Sequence, residues 1–150
     1  MNYYYTTSKT VPSGNSLYRT VYGMNWHGIE LRRAAIKNPN AATLEAVCTS
    51  RTLNNRGNII EERTAEAHAL INTNALLKQF LNPYNGSSWA NDAATLEQSK
   101  GIIYITEYDS VTNKKSGAKV KIGSSGTAYY VNATDYNTEG QISAEYIYPN

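Results

Sequence analysis

The residues that could catalyse a reaction or bind a metal are few in this chain and lie far apart. Two histidines, one cysteine and twelve acidic residues occur among 150 residues. His27 precedes Glu30 by three positions, and His68 follows Glu66 by two. A carboxylate-bridged metal site on a helical bundle needs repeated Glu-x-x-His units, which the sequence lacks. We therefore expect no catalytic residue, no metal site and no cofactor, and interpret both histidines as ordinary helix residues.

The single cysteine and the most glycine-rich turn also lack the surroundings of a reactive site. Cys48 lies in an apolar stripe with no histidine nearby in sequence, which is typical of a small buried side chain. The segment Gly123-Ser-Ser-Gly126 has neither the lysine nor the following helix of a phosphate-binding loop, so it indicates a hairpin turn. A lone cysteine also excludes an internally disulfide-bonded scaffold.

Basic residues are concentrated in the first half of the sequence and could attract nucleic acid. All six arginines fall between positions 19 and 63, and a local excess of positive charge attracts a phosphate backbone. Aromatic side chains of the same region could stack on unpaired bases. The alternative is that the arginines pair with acids such as Glu30, Glu61 and Glu62. The candidate nucleic-acid contacts are Arg19, Arg32, Arg33 and Lys37.

Tyrosine is the unusual residue of this composition, with thirteen copies against one phenylalanine. Its ring is apolar and its hydroxyl polar, so it suits half-buried positions at protein interfaces. Five tyrosines lie in the first 22 residues and seven from Tyr104 onward. A codon bias that enriches tyrosine is the alternative, although it should have raised phenylalanine too. The predicted protein interface comprises Tyr3, Tyr4, Tyr5, Tyr18, Tyr22, Trp26, Tyr146 and Tyr148.

Residues 1–28 predict an extended N-terminal arm ahead of a single domain at 29–150. The arm has neither a helical nor a strict two-residue period near its start, and Pro12, Ser13 and Gly14 interrupt it. It carries no acidic residue before Glu30. One hypothesis is that the arm places its tyrosines on a neighbouring subunit. The other is a frayed or locally docked terminus.

Helical spacing of apolar residues predicts that residues 29–100 form three to four helices. The first would end at Asn38-Pro39, and the second would run from Asn40 to the turn before Gly57. The third, from Asn58 to about Leu81, begins with a spacing like that of a capping box and would be the longest. A further short helix is expected to end at Lys100-Gly101.

After Gly101 the period becomes two, so residues 101–148 predict a four-stranded antiparallel meander. One face should be apolar and receive the helices, with Lys119, Lys121, Glu107 and Glu145 on the other. The predicted fold class is therefore α+β, with an N-terminal arm, then helices, then the sheet.

Composition and pattern together favour a non-enzymatic assembly subunit. The chain is 41% hydrophobic and 17% charged with a net charge of +2, which fits one soluble domain. It has neither an apolar run of ~20 residues nor a signal peptide, so we expect it in the cytoplasm or inside a particle. Its partners would be copies of itself or other subunits, as in a virus or phage particle. The alternative function is nucleic-acid binding.

Overall fold

The computed structural model describes residues 6–13, 16–25, 27–37, 42–81 and 96–149, with residues 6–13 and 16–18 described as backbone only. Its strands in the described part of the chain are β1 (Thr6–Ser13), β2 (Ser16–Met24), β3 (Glu30–Lys37), β4 (Glu45–Leu53), β5 (Ile59–Arg63), β6 (Ile102–Tyr108), β7 (Lys115–Ile122), β8 (Tyr129–Tyr136) and β9 (Ile142–Ile147). A 3-10 helix (Ala65–Ala67) and the helix α1 (Asn74–Leu81) lie between β5 and β6.

All these strands belong to one antiparallel sheet in which each strand pairs with its neighbour in sequence. The order runs from β1 to β9 without a crossover. Because short turns join most consecutive strands, local hairpins can build the sheet one strand at a time. No helix among the described residues is long and apolar enough to cross a membrane.

The prediction of an α+β fold with three to four helices and a four-stranded sheet is wrong. The expected first helix is β3, the expected second is β4, and α1 corresponds only to the last turns of the expected third. In β3 the buried residues are Arg32, Ala34 and Ile36, which alternate with more exposed ones. Apolar residues four positions apart satisfy both a helical and a strand period, so short runs containing alanine are ambiguous. Pairing with neighbouring strands, rather than the local period, determines that these segments are strands.

The predicted arm is also corrected where the structure describes it. Residues of β1 and β2 form a hairpin that extends the sheet, with Ser13 opposite Ser16 and Tyr22 opposite Arg33. These segments are rich in threonine, valine and tyrosine, which favour strands. The hairpin also supplies hydrogen-bond partners for the outer backbone groups of β3. Tyr3, Tyr4, Tyr5 and Trp26 lie outside the described residues.

The hydrophobic core lies on one side of the sheet, which we call the helix face. There α1 packs over β2, β3 and β4. The core combines mostly small residues of the strands with larger residues of α1 and of the segment before it. These residues are Val21, Ala34, Ile36, Ala46, Cys48, Ile71, Leu77, Phe80 and Leu81. The other side is called the opposite face. Gly23 permits the close approach of α1, since a Cβ there would stand 2.5 Å from the carbonyl oxygen of Leu81.

The segment between β5 and β6 joins the two parts of the sheet through backbone contacts. Ala46 exchanges two hydrogen bonds with Ile71, and the amide of Glu97 donates to the carbonyl of Ala67 at 2.9 Å. Gly101 sits against this segment with a φ of 74°. A Cβ at Gly101 would be 2.0 Å from the amide nitrogen of Ala67, so only glycine fits there.

We predict that Gly101→Ala destabilises the protein far more than Gly57→Ala. Both glycines have positive φ, but a Cβ at Gly57 would meet nothing within 4 Å. Gly57→Ala should therefore lower the free energy of unfolding by about 1 kcal/mol through backbone strain alone. Gly101→Ala adds a clash with backbone and should cost about 3 kcal/mol or more. Urea unfolding of both variants measures the difference, and equal losses would contradict the described packing of Gly101.

Candidate protein-binding surface

An apolar patch occupies the opposite face of strands β6–β8. It consists of Ile102, Tyr104, Val120, Ile122 and Tyr129. The register places Ile102 beside Ile122, and Val120 between Tyr104 and Tyr129. Ile122 is 66% exposed and Tyr129 67%. Among the described residues, α1 packs on the other side of the sheet, so these side chains are left at the surface.

A groove of about 450 Å³ runs through this patch between the two tyrosines. Neighbouring strands are about 4.8 Å apart, so Tyr104 and Tyr129, two strands apart, stand roughly 9.6 Å apart with Val120 between them. That spacing leaves room for one apolar side chain between the rings. Paired tyrosine walls with an aliphatic floor are typical of the centre of a protein interface.

On the helix face of β6–β9, Ile103 is buried, and the part of this face around β7 and β8 carries polar side chains. Lys119 forms an ion pair with Glu107, and its ammonium lies 4.2 Å from the centre of the Tyr130 ring. The Tyr130 hydroxyl donates to Glu107 at 2.8 Å. Desolvation opposes ionisation of Glu107, but the hydrogen bonds from Lys119 and Tyr130 outweigh it and lower its pKa. The Lys119 pKa is raised, chiefly by the hydrogen bond to Glu107.

The location of the apolar face in β6–β9 corrects the expectation that this face receives the helices. Lys119, Lys121 and Glu107 do share a face, as predicted, but it is the helix face, while Glu145 lies on the opposite one. The exposed apolar patch of β6–β8 therefore points away from α1. The sequence of β7 could have indicated the patch, because its valine and isoleucine alternate with lysines and must therefore lie on one face. The sequence alone does not tell which side a helix covers.

The structure places the predicted interface tyrosines on both faces. Tyr22 is on the opposite face, where the guanidinium carbon of Arg33 lies 5.6 Å from the centre of its ring. Tyr146 and Tyr148 are on the helix face, where the Tyr146 hydroxyl bonds Asp135 at 3.3 Å and the Tyr148 ring contacts Tyr130. The backbone of Tyr18 pairs with Lys37. Of this predicted set, Tyr146 and Tyr148 lie close together on the same face.

The four candidate nucleic-acid contacts do not form a single surface. Register puts Arg19 and Arg32 on the helix face and Arg33 and Lys37 on the opposite face. Arg32 is buried, and its guanidinium donates to the carbonyl oxygens of Leu31 and Arg51 at 3.0 and 2.9 Å. Arg33 pairs with Glu30 at 3.0 Å, and this hydrogen bond raises its pKa.

Further pairs of arginine and glutamate occupy the strands beside them. Arg51 pairs with Glu62 on the opposite face at 2.8 Å, and Arg63 pairs with Glu61 on the helix face. Local acids therefore compensate much of the positive charge in the first half of the sheet.

The two histidines occupy unlike environments. His27 is exposed in the turn between β2 and β3, whereas His68 is buried and its Nε2 lies 2.9 Å from the hydroxyl of Ser50. No local sequence pattern indicated this pair, because it forms only when the segment after β5 folds back over β4. The side chains of Ser50 and His68 are both buried, and the centre of the His68 ring lies 5.2 Å from that of Phe80 in an edge-on arrangement. The pair ties the 3-10 helix to the sheet.

Neither a metal cluster nor an activated thiol is found in the described part of the chain. No group of three or more histidine, cysteine, aspartate or glutamate side chains there could hold a metal ion. Burial raises the pKa of the Cys48 thiol to about 12, so it stays protonated at neutral pH.

Comparison with known proteins assigns no family to this chain. No protein-family model, curated protein or solved structure matches it. The surface must therefore be interpreted from its own geometry.

We predict that Glu107→Gln destabilises the protein at neutral pH but not in acid. The folded-state pKa of Glu107 lies below the unfolded-state value, so its stabilisation is present at neutral pH and is lost as the pH falls through the folded-state pKa. Because the pair with Lys119 is partly exposed, the loss at pH 7 should be at most about 1 kcal/mol. Urea unfolding at pH 7 and near pH 3 measures it.

The control for this prediction is Glu139→Gln, which replaces an exposed carboxylate in the turn between β8 and β9. It should leave stability nearly unchanged at neutral pH. A loss for Glu107→Gln that is the same at both pH values would contradict the role of the ionised pair.

Proposed function

We propose that this protein is a non-enzymatic assembly subunit that contacts copies of itself through the apolar patch on β6–β8. The observation that carries this proposal is the exposure of Ile122 and Tyr129 on a face that α1 does not cover. Contiguous apolar side chains on one side of a sheet gain free energy when another surface removes them from water. A particle built from many copies, such as that of a virus or phage, is a setting that fits such a subunit.

The shape of the patch supports a second copy as its partner. It offers both a groove, between Tyr104 and Tyr129, and an exposed aliphatic side chain at the border of that groove, Ile122. A two-fold interface requires one surface to be complementary to itself, and a groove beside an exposed isoleucine meets that requirement. The patch thus supplies both halves of the contact.

Polar side chains border the patch on the side of the first strands, as expected for the rim of an interface. A second groove of about 270 Å³ on the opposite face is lined by Arg33, Arg51, Glu62 and Tyr104. Its arginines already pair with Glu30 and Glu62, so they bring little unbalanced charge to the border. Such a rim excludes water from the apolar centre and orients the partner.

Nucleic-acid binding has weaker support than assembly. Its predicted contacts are divided between the two faces of the sheet, and Arg32 is buried. Phosphate binding would need cationic groups that converge on one surface. The described residues favour the protein contact.

We predict that Ile122→Glu weakens self-association, while Val111→Glu does not. Both replace exposed aliphatic side chains, but Val111, 81% exposed, lies in the turn between β6 and β7 and outside the patch. A carboxylate forced into an apolar interface loses its hydration without gaining a partner, so the dissociation constant should rise at least about tenfold. Light scattering after gel filtration and sedimentation equilibrium measure the mass against the 16.6 kDa of one chain.

Circular dichroism controls for folding, because an exposed position should tolerate the change. A wild-type protein that stays at the mass of one chain at every concentration would contradict the proposed function. So would equal effects of Ile122→Glu and Val111→Glu.

A further inference from the structure

Strand β9 forms an open edge of the sheet. It is the last in the strand order, so in the described residues its outer side has no neighbouring strand. Its sequence, Ile142–Ile147, contains neither lysine nor proline. The other edge, β1, contains both Lys9 and Pro12, residues that natural proteins use to prevent edge pairing. The two edges of this sheet are therefore unequal.

The hydrogen bonds to β8 determine which backbone groups of β9 point outward. The amide of Tyr148 donates to the carbonyl of Val131 at 3.1 Å, and the register places Tyr146 opposite Ala133. Hydrogen-bonded and non-hydrogen-bonded pairs alternate along an antiparallel ladder. Tyr148, Tyr146 and Ala144 therefore bond to β8. Glu145 and Ile147 direct their N–H and C=O groups to the open side.

We propose that β9 pairs antiparallel with β9 of a second copy about a two-fold axis at Tyr146. In this register Tyr146 faces Tyr146 of the other copy, and Glu145 faces Ile147. The outward groups of Glu145 and Ile147 then bond to one another across the axis. The result is one continuous sheet shared by two chains. The inference rests on the proposed function in taking the protein as a subunit, but it uses a different surface from the apolar patch.

The other two-fold registers are each disfavoured by a feature of β9. An axis at Glu145 would set two carboxylates directly opposite each other, which is destabilising. An axis at Ala144 would require pairing through Ser143, where the strand has a bulge. An axis at Ile147 would place Glu145 against Pro149, which has no N–H to donate. The axis at Tyr146 keeps the two Glu145 carboxylates apart, and it places Ser143 opposite Pro149 only at the two ends of the ladder, outside the central pairs of Glu145 with Ile147.

A second copy of β9 also suits this edge better than β1 of another chain. Pairing β9 with β1 would join chains head to tail and give an open filament or a ring. Pro12 removes a donor from β1, and Lys9 adds a charge to it. Pairing of β9 with itself closes after two chains and leaves the β1 edges at the ends of the shared sheet.

Disulfide cross-linking tests both the contact and its register. Opposed residues of a non-hydrogen-bonded pair have Cα atoms about 4.5 Å apart, within the range of a disulfide. Tyr146→Cys should therefore cross-link two chains under mild oxidation, as seen on a non-reducing gel. Ala144→Cys, on the same strand and face, is the control and should not, because its counterpart in the other chain is displaced by four residues. The native Cys48 is buried and should not compete.

The cross-linking is done in the Ile122→Glu variant so that contact through the apolar patch does not contribute. Cross-linking of Tyr146→Cys there supports the edge contact whether or not the proposed function holds. If Tyr146→Cys cross-links no better than Ala144→Cys, the inference is overturned, while the mass measurements on Ile122→Glu still decide the proposed function. Preferential cross-linking of Ala144→Cys would overturn the register.

Removal of one outward donor provides an independent test. Glu145→Pro deletes an N–H that points away from β8, so the intramolecular ladder should survive and the contact between chains should not. Glu145→Ala keeps that N–H and is the control. The dissociation constant of the edge contact should be at least about tenfold higher for Glu145→Pro than for Glu145→Ala. Sedimentation equilibrium in the Ile122→Glu background measures both. Equal dissociation constants for the two variants, both folded by circular dichroism, would overturn the inference.

Discussion

The packing of α1 on the helix face of β2, β3 and β4 is the contact on which the rest of the structure depends. Phe80 is nearly fully buried there, and it touches His68 edge-on and lies beneath the Arg32 guanidinium. The strands beneath are lined by alanine, cysteine and serine, whose small side chains let the helix approach closely. A sheet needs at least one covered face to be stable in water, so this cluster is the contact that stabilises the meander. The strands β6–β9 extend from it through β5 and the tight contact at Gly101.

The change of polarity along the sheet follows from that arrangement. In the first strands the apolar residues point to α1, whereas in β6–β9 Ile103 is buried on the helix face and the exposed apolar residues of the patch point the other way. The polar ladder of Glu107, Lys119 and Tyr130 satisfies the helix face of β6–β9 with hydrogen bonds, so that side is stable in water. The opposite side has no such network among the tyrosines and isoleucines of the patch. An apolar face without a covering layer is the physical reason to place a partner there.

The sequence predicted the local pattern of this fold better than its architecture. The strands that its two-residue period indicated after Gly101 match β6–β9, because lysine and valine alternate clearly in β7. In β3 and β4 the inward residues are alanine, cysteine and serine, and such small side chains give little contrast with their neighbours. The last turns of the predicted third helix do form α1, where Leu77, Phe80 and Leu81 share one face.

The candidate surface could be predicted only in part. The sequence predicted contacts in the C-terminal sheet, with Tyr146 and Tyr148 as contact residues, and both of these lie on the helix face. It did not indicate Tyr104, Ile122 and Tyr129, because the face they occupy becomes a surface only through the side on which α1 packs. That choice depends on α1 and on the strands it covers, which lie far from these residues in sequence, and no local period records it. Buried pairs such as Ser50 with His68 have the same non-local origin.

The topology of the sheet is a further argument for the proposed contact between chains. In a meander each strand pairs only with its neighbours in sequence, so two edges remain open unless the first and last strands meet. A chain that closed on itself would need β1 to pair with β9, but Pro12 and Lys9 make β1 a poor partner. A chain that covered both faces would need a second layer over β6–β9, and the described residues supply α1 to the other half. Both the open edge and the open apolar face therefore lie in the C-terminal half, and both are satisfied most simply by another copy of the same strands.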